Sequence, residues 1–189
     1  DQATKIHQTI IVRPKLSNDL KIQIHQALGL DYLELGNTVR AEDEFKKMLE
    51  IDAKNKWSLG MLKNIATDNK SWNDALEYEK KLIKYYPEIK KRDESKLNYF
   101  VAMDYKDKKN EKNYLYYLNK SIQGDHIHSE SYLELSSHHI DNTDLAMKYL
   151  IQFSKANPSG SVTAFKKIEH ILFDEKRFDD VESLYRKIL

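Results

Sequence analysis

Apolar residues recur along this chain at the spacing of helices rather than strands. Between Ala27 and Leu49, the residues Leu28, Tyr32 and Leu35 share one helical face, and Ala41, Phe45, Met48 and Leu49 share another. Gly36-Asn37 lies between the two segments, and both residues tolerate the left-handed backbone that ends a helix. The pattern predicts two short antiparallel helices. Gly29 and Ala41 are placed where such helices cross closely, because a larger side chain there would push the axes apart.

The same pattern returns down the chain. A step of 34 from Leu28, Ala41, Met48 and Ala53 lands on Leu62, Ala75, Leu82 and Pro87. A third copy carries Val101-Ala102, Tyr105, Tyr114 and Leu118, after extra residues around Ile89 to Glu94. A fourth has Leu135-Ser136, His139, Ala146, Leu150, Phe153 and Pro158, and a fifth has Phe165, Ile168, Leu172, Phe178, Val181, Tyr185 and Ile188. Leu-Gly, Tyr, Ala, Phe and Pro in this order over 34 residues resembles the tetratricopeptide repeat. The fold expected is all-α, a right-handed α-solenoid of stacked antiparallel helix hairpins. Its repeats fall at residues 22–55, 56–89, 95–128, 129–160 and 161–189 of a single domain over 1–189. Residues 1–15 read as the second helix of a truncated repeat, with Ala3, His7, Ile10 and Ile11 on its packing face and Pro14 ending it.

Composition agrees with helix. The 189 residues are 40% hydrophobic and 32% charged, with only 5 Gly and 3 Pro to break regular structure. Charge is balanced, 31 basic against 30 acidic, which gives no electrostatic case for nucleic acid or an anionic membrane. There is no cysteine, hence no disulfide and no thiolate metal site in this chain. No run of 18 apolar residues occurs, so direct membrane insertion by this stretch is not expected. The absence of an initial Met and the half repeat suggest an internal fragment, whose two cut ends would expose apolar surface and favour self-association.

Candidate chemistry is sparse. His126, His128, His138 and His139 are the densest histidine group, but adjacent histidines on a helix diverge by about 100° and do not share a metal easily. They read as polar loop plus one packed histidine. Glu42-Asp43-Glu44 are consecutive on a helix and splay around it, so they read as a solvated face rather than an acid–base pair. The charged turn Lys106 to Lys112 and the connector Lys90 to Lys96 read as solvated. Ser71 or Asn73 could cap one helix, and Leu16-Ser17-Asn18-Asp19 offers caps for another. No phosphate-binding glycine loop or nucleophile elbow is present. The expectation is a non-enzyme with no cofactor and no metal.

A stack of hairpins presents a concave surface built from its first helices. Opposite the packing faces these carry Gln26, Leu30 and Leu33, then Trp57 and Asn64, then Tyr99 and Met103. Leu133, Ser137 and Ile140 follow, then Lys166, His170 and Phe173. Leu30, Tyr99 and Met103 are expected to be exposed there, and such groups suit an apolar or helical peptide. The expected partner is therefore a protein or peptide. Chaperone-binding repeat proteins clamp a C-terminal carboxylate with lysine and asparagine; the matching positions here are Gln26 and Leu30, and only Asn64 fits, which disfavours that role.

Three blocks carry a closer resemblance: Ile6-His7-Gln8-Thr9, Gly29-Leu30-Asp31-Tyr32 and Arg40-Ala41-Glu42-Asp43-Glu44-Phe45, continued through Trp72-Asn73-Asp74-Ala75. They are similar to the lipopolysaccharide assembly protein B family. That family implies a bacterial protein with an N-terminal membrane anchor, cytoplasmic tetratricopeptide repeats and a C-terminal rubredoxin-like metal domain. It further implies an adaptor that regulates lipopolysaccharide synthesis through a membrane protease. The expectation is a cytoplasmic adaptor or scaffold, anchored to the inner membrane in its full-length form. The alternative is the regulatory arm of a larger enzyme or metal-binding protein whose active part lies outside this stretch.

Overall fold

The computed structural model describes residues 2–89, 93–123 and 127–188, with side chains as far as residue 183. His126, and Lys90 to Arg92 of the charged connector, lie outside the described residues, as do the side chains of Tyr185 and Ile188. Two compact units divide the chain, Asp1–Leu97 and Asn98–Leu189. The division falls inside the repeat expected at 95–128.

The first unit holds α1 (Gln2–Ile11), α2 (Asn18–Glu34), α3 (Thr38–Ile51), α4 (Lys56–Asp68), α5 (Trp72–Tyr85) and the start of α6 (Glu94–Asp107). The second holds the rest of α6, α7 (Glu111–Ser121), α8 (Glu130–His138), α9 (Thr143–Ala156), α10 (Ser161–Asp174) and α11 (Phe178–Ile188). Each unit is all-α, built from antiparallel hairpins of sequence-adjacent helices, with no strand among the described residues.

Four of the hairpin turns share one local solution. Gly36, Lys70, Lys109 and Lys176 all sit in the left-handed region, at φ of 70°, 57°, 55° and 59°. Glycine adopts this conformation freely, whereas the three lysines hold it against Cβ crowding. Asparagine then caps the second helix in three of the hairpins. Asn37 Oδ1 accepts from Arg40 N–H at 3.2 Å, Asn110 from Asn113 at 3.2 Å and Asn142 from Leu145 at 3.1 Å. Ser17 caps α2 in the same way, through Leu20 N–H. Ser71 occupies the cap position of α5 but makes no side-chain cap bond.

In the first unit the core runs through Ile24, Leu28 and Tyr32 of α2, Ala41, Phe45 and Met48 of α3, and Leu62 and Ile65 of α4. Burying each large side chain stabilises the fold by about 1.5–3 kcal/mol. Phe45 fills the α2–α3 crossing, since a Cβ built on Gly29 would fall 2.0 Å from its Cε1. Gly29 therefore makes room for an aromatic ring rather than for Ala41 across the hairpin. Ser58, fully buried on α4, donates to the Phe45 carbonyl at 2.6 Å and ties α4 to α3.

Two expected faces are corrected. Leu35 is 57% exposed, because α2 ends at Glu34 and the chain has already turned away. In α1 the small buried residue is Thr4, not Ala3, which is exposed; Ile10 and Ile11 do pack on the core. In the second unit one cluster gathers Ala102, Tyr114, Leu118 and Leu135. Another gathers Tyr132, Leu150, Phe153, Ala164, Ile168, Leu172 and Val181.

Candidate functional site

The first-helix residues of the first unit separate into packed and open positions. Leu33 and Trp57 rest against the core, Trp57 meeting Phe45 edge to face at 5.2 Å between ring centres. Gln26 is half-buried and Asn64 exposed. Leu30 is 40% exposed, on the side of α2 away from the buried Leu28 and Tyr32.

In the second unit Tyr99 and Met103 are half-buried and pack on the cluster around Leu118 and Leu135. Tyr99 also lies 4.5 Å from the His128 ring. The expectation that both are exposed without a folding role is corrected: the helical register of α6 brings them beside Ala102, whose small side chain lets the neighbouring helix approach. Leu133 rests on the second cluster. Lys166 and His170 are exposed, His170 pairing with Asp174 at 2.9 Å one turn on. Ile140 and Phe173 are exposed.

Ser137 is the predicted position that opens onto a cavity. A cleft of about 410 Å³ is lined by Lys106, Lys109, Asn110, Glu111, Tyr114, Glu134, Ser137 and His138. Tyr114 O–H donates to Glu134 Oε2 at 2.9 Å, and the Lys106 ammonium bonds the same oxygen. Burial, with the Glu134 carboxylate beside it, holds the Tyr114 hydroxyl protonated well above the ordinary tyrosine range. Glu111 Oε1, also in the lining, lies 3.4 Å from His138 Nε2. The turn read as a solvated charge run thus supplies four of the lining side chains, Lys106, Lys109, Asn110 and Glu111.

The first unit carries two polar networks instead. His25 Nδ1–H donates to Glu44 Oε2 and Lys47 to Glu44 Oε1, each at 2.6 Å. The solvated-face reading of Glu42-Asp43-Glu44 fails for Glu44, which is only 8% exposed. It lies three residues from Ala41 and four from Met48, on the buried face, so helical spacing was the signal that could have found it. Burial opposes its charge, but the bonds from His25 and Lys47 outweigh burial and hold its pKa below the ordinary value. The second network joins Lys63 to Glu79 at 3.1 Å and to Asp93 at 3.0 Å, around a Glu79 that is 3% exposed. Burial works against the Lys63 ammonium, yet these two carboxylates raise its pKa. His7 and Asp31 pair at 2.9 Å, and Gln8 donates to the Tyr32 hydroxyl at 2.7 Å, tying α1 to α2.

Among the described residues no group of three or more metal-ligating side chains converges, and no helix is long and apolar enough to cross a membrane. His138 and His139 meet ring to edge at 4.8 Å, and His139 stacks on Tyr149 at 5.8 Å.

The chain matches no established family profile. It is 30% identical over 84 residues to lipopolysaccharide assembly protein B of Escherichia coli (strain K12), a match covering 44% of this chain and 22% of that protein. Among solved structures it is similar to the MamA protein, with a TM-score of 0.51 at 18% identity, covering 88% of this chain and 89% of that one. It is also similar to YrrB, described as a TPR protein with an unusual peptide-binding site, with a TM-score of 0.47 at 14% identity, covering 98% of this chain and 91% of that one. By its repeat, its hairpins and its likeness to MamA the chain has an all-α fold of tetratricopeptide-type helix hairpins, and it resembles lipopolysaccharide assembly protein B over part of its length.

Proposed function

We propose that the chain is a non-catalytic protein-binding scaffold that meets its partner along the first helices of its hairpins. The observation that supports this most directly is Leu30. It is an aliphatic side chain 40% exposed on α2, turned away from the face that holds the hairpin together. Gln26 beside it and the exposed Asn64 on α4 add amide groups able to hold a peptide backbone.

The finer reading rests on the 30% identity to lipopolysaccharide assembly protein B. On it we propose an adaptor in envelope lipid synthesis, acting in the cytoplasm through a membrane protease.

Both readings are tested by affinity capture from the native cell, with wild type beside Leu30→Ser. The expected result is a partner retained by wild type and lost with Leu30→Ser, at an unchanged melting temperature. Equal capture by both proteins would remove Leu30 from the binding face. A captured partner unrelated to envelope lipid synthesis would sink the finer reading alone.

A further inference from the structure

The cleft between Glu111 and Glu134 combines features that belong together in a cation receptor. Two carboxylates line it, one on the first turn of α7 and one on α8. Tyr114, one turn on from Glu111, lines the same cleft, and Ser137 adds a hydroxyl acceptor. The chain already places a cation there. The Lys106 ammonium bonds Glu134 Oε2 and sits 5.7 Å from the centre of the Tyr114 ring. Lys106 is itself half exposed, so this is a surface pair of the weak and exchangeable kind. Both bonds that Glu134 receives fall on one oxygen, and Oε1 accepts from no side chain among the described residues.

We propose that this cleft receives an arginine side chain of a partner polypeptide. Its guanidinium would take Glu134 Oε1 on α8 and Glu111 on α7, beside the Tyr114 ring. A planar fork with five donors suits two carboxylates and an aromatic ring better than the single point charge of lysine. Tyr114 is fixed for this role, since its hydroxyl is a donor to Glu134 and cannot rotate away without breaking that bond. Lys106 then acts as the resident stand-in that the incoming arginine displaces. The size agrees: about 410 Å³ admits one long side chain but not a folded element. The proposal rests on the scaffold reading only for the source of the arginine.

The test uses N-acetylarginine amide as the probe, with N-acetylglutamate amide as its counterpart, followed by amide NMR shifts on the whole chain. The arginine probe should move signals of Lys109–Tyr114 and Glu134–His138, and the glutamate probe should not. Glu134→Gln should weaken arginine binding at least about tenfold, the worth of a hydrogen bond to a charged group. Glu111→Gln, at a well-exposed position that folding does not need, should weaken it as well. Lys106→Met should tighten it by up to about fivefold, because it removes the competing surface pair. Shifts from the glutamate probe alone, no shift from either probe, or unchanged affinity in Glu111→Gln would each overturn the assignment. Arginine binding without any captured partner would overturn the scaffold reading and leave the cleft standing. Partner capture without arginine binding would do the reverse.

Discussion

Gly29 in α2 and Gly60 in α4 lie in the middle of two first helices, yet a methyl group added to each would meet very different surroundings. At Gly29 the new Cβ would fall 2.0 Å from Phe45 Cε1, whereas at Gly60 it would find no atom within 4 Å. Both glycines weaken the helix that holds them, by about 0.5–1 kcal/mol relative to alanine. Only Gly29 returns this through packing, because the ring of Phe45 occupies the space its side chain would need. Gly60 instead borders a hollow of about 200 Å³ beside Lys63, Glu79, Leu82, Ile83 and Ile89. A glycine in a helix is thus two different things, and the neighbour across the hairpin decides which.

The largest test of this contrast is Phe45→Ala. Phe45 is fully buried, so the variant should lose about 3–5 kcal/mol in denaturant unfolding. A loss below 1 kcal/mol on the same measurement would mean that the crossing is not held by this ring.

Gly29→Ala comes next, with an expected loss of about 1–3 kcal/mol from overpacking. The sharper form is the double variant. With Phe45 already reduced to alanine the added methyl has room, so the two losses should not add. Additive losses would show that Gly29 matters for another reason.

Gly60→Ala should move stability the other way, with a gain of about 0.5–1 kcal/mol from helix propensity alone. Thermal melts would show it. A lower melting temperature would mean that the hollow beside α4 is needed empty.

The smallest effect concerns pH and sets the first unit apart from the second. Glu44 has a depressed pKa in the folded state, so the stability it contributes is fully present above the ordinary carboxylate value. That contribution is lost as pH falls through the folded pKa. Glu44→Gln should therefore flatten the acid side of the stability curve, measured by melts from neutral pH downward. An unchanged acid limb would remove Glu44 from the buried network.

Much of the first unit was legible in the residues. Leu28, Tyr32, Ala41, Phe45 and Met48 were found from spacing alone, because burial on a helix face imposes its period on the sequence. The Gly36-Asn37 turn was found because left-handed backbone and capping select few residue types. The site was legible only in part. Leu30 was expected to be open and is, but Tyr99, Met103, Leu33 and Trp57 pack on the core. From the helix alone, a residue beside the packing face looks the same whether or not a second helix covers it.

The sequence by itself determined the helices, the turns between them and the all-α repeat, since each depends on residues close along the chain. The tertiary structure decided which polar groups meet. His7 and Asp31 are 24 residues apart, and Lys63 and Asp93 are 30 apart. Lys106 and Glu134, which meet in the cleft, are separated by 28. No local pattern marks such pairs, because a charged side chain in an isolated helix reads as solvated until a neighbouring helix brings it a partner.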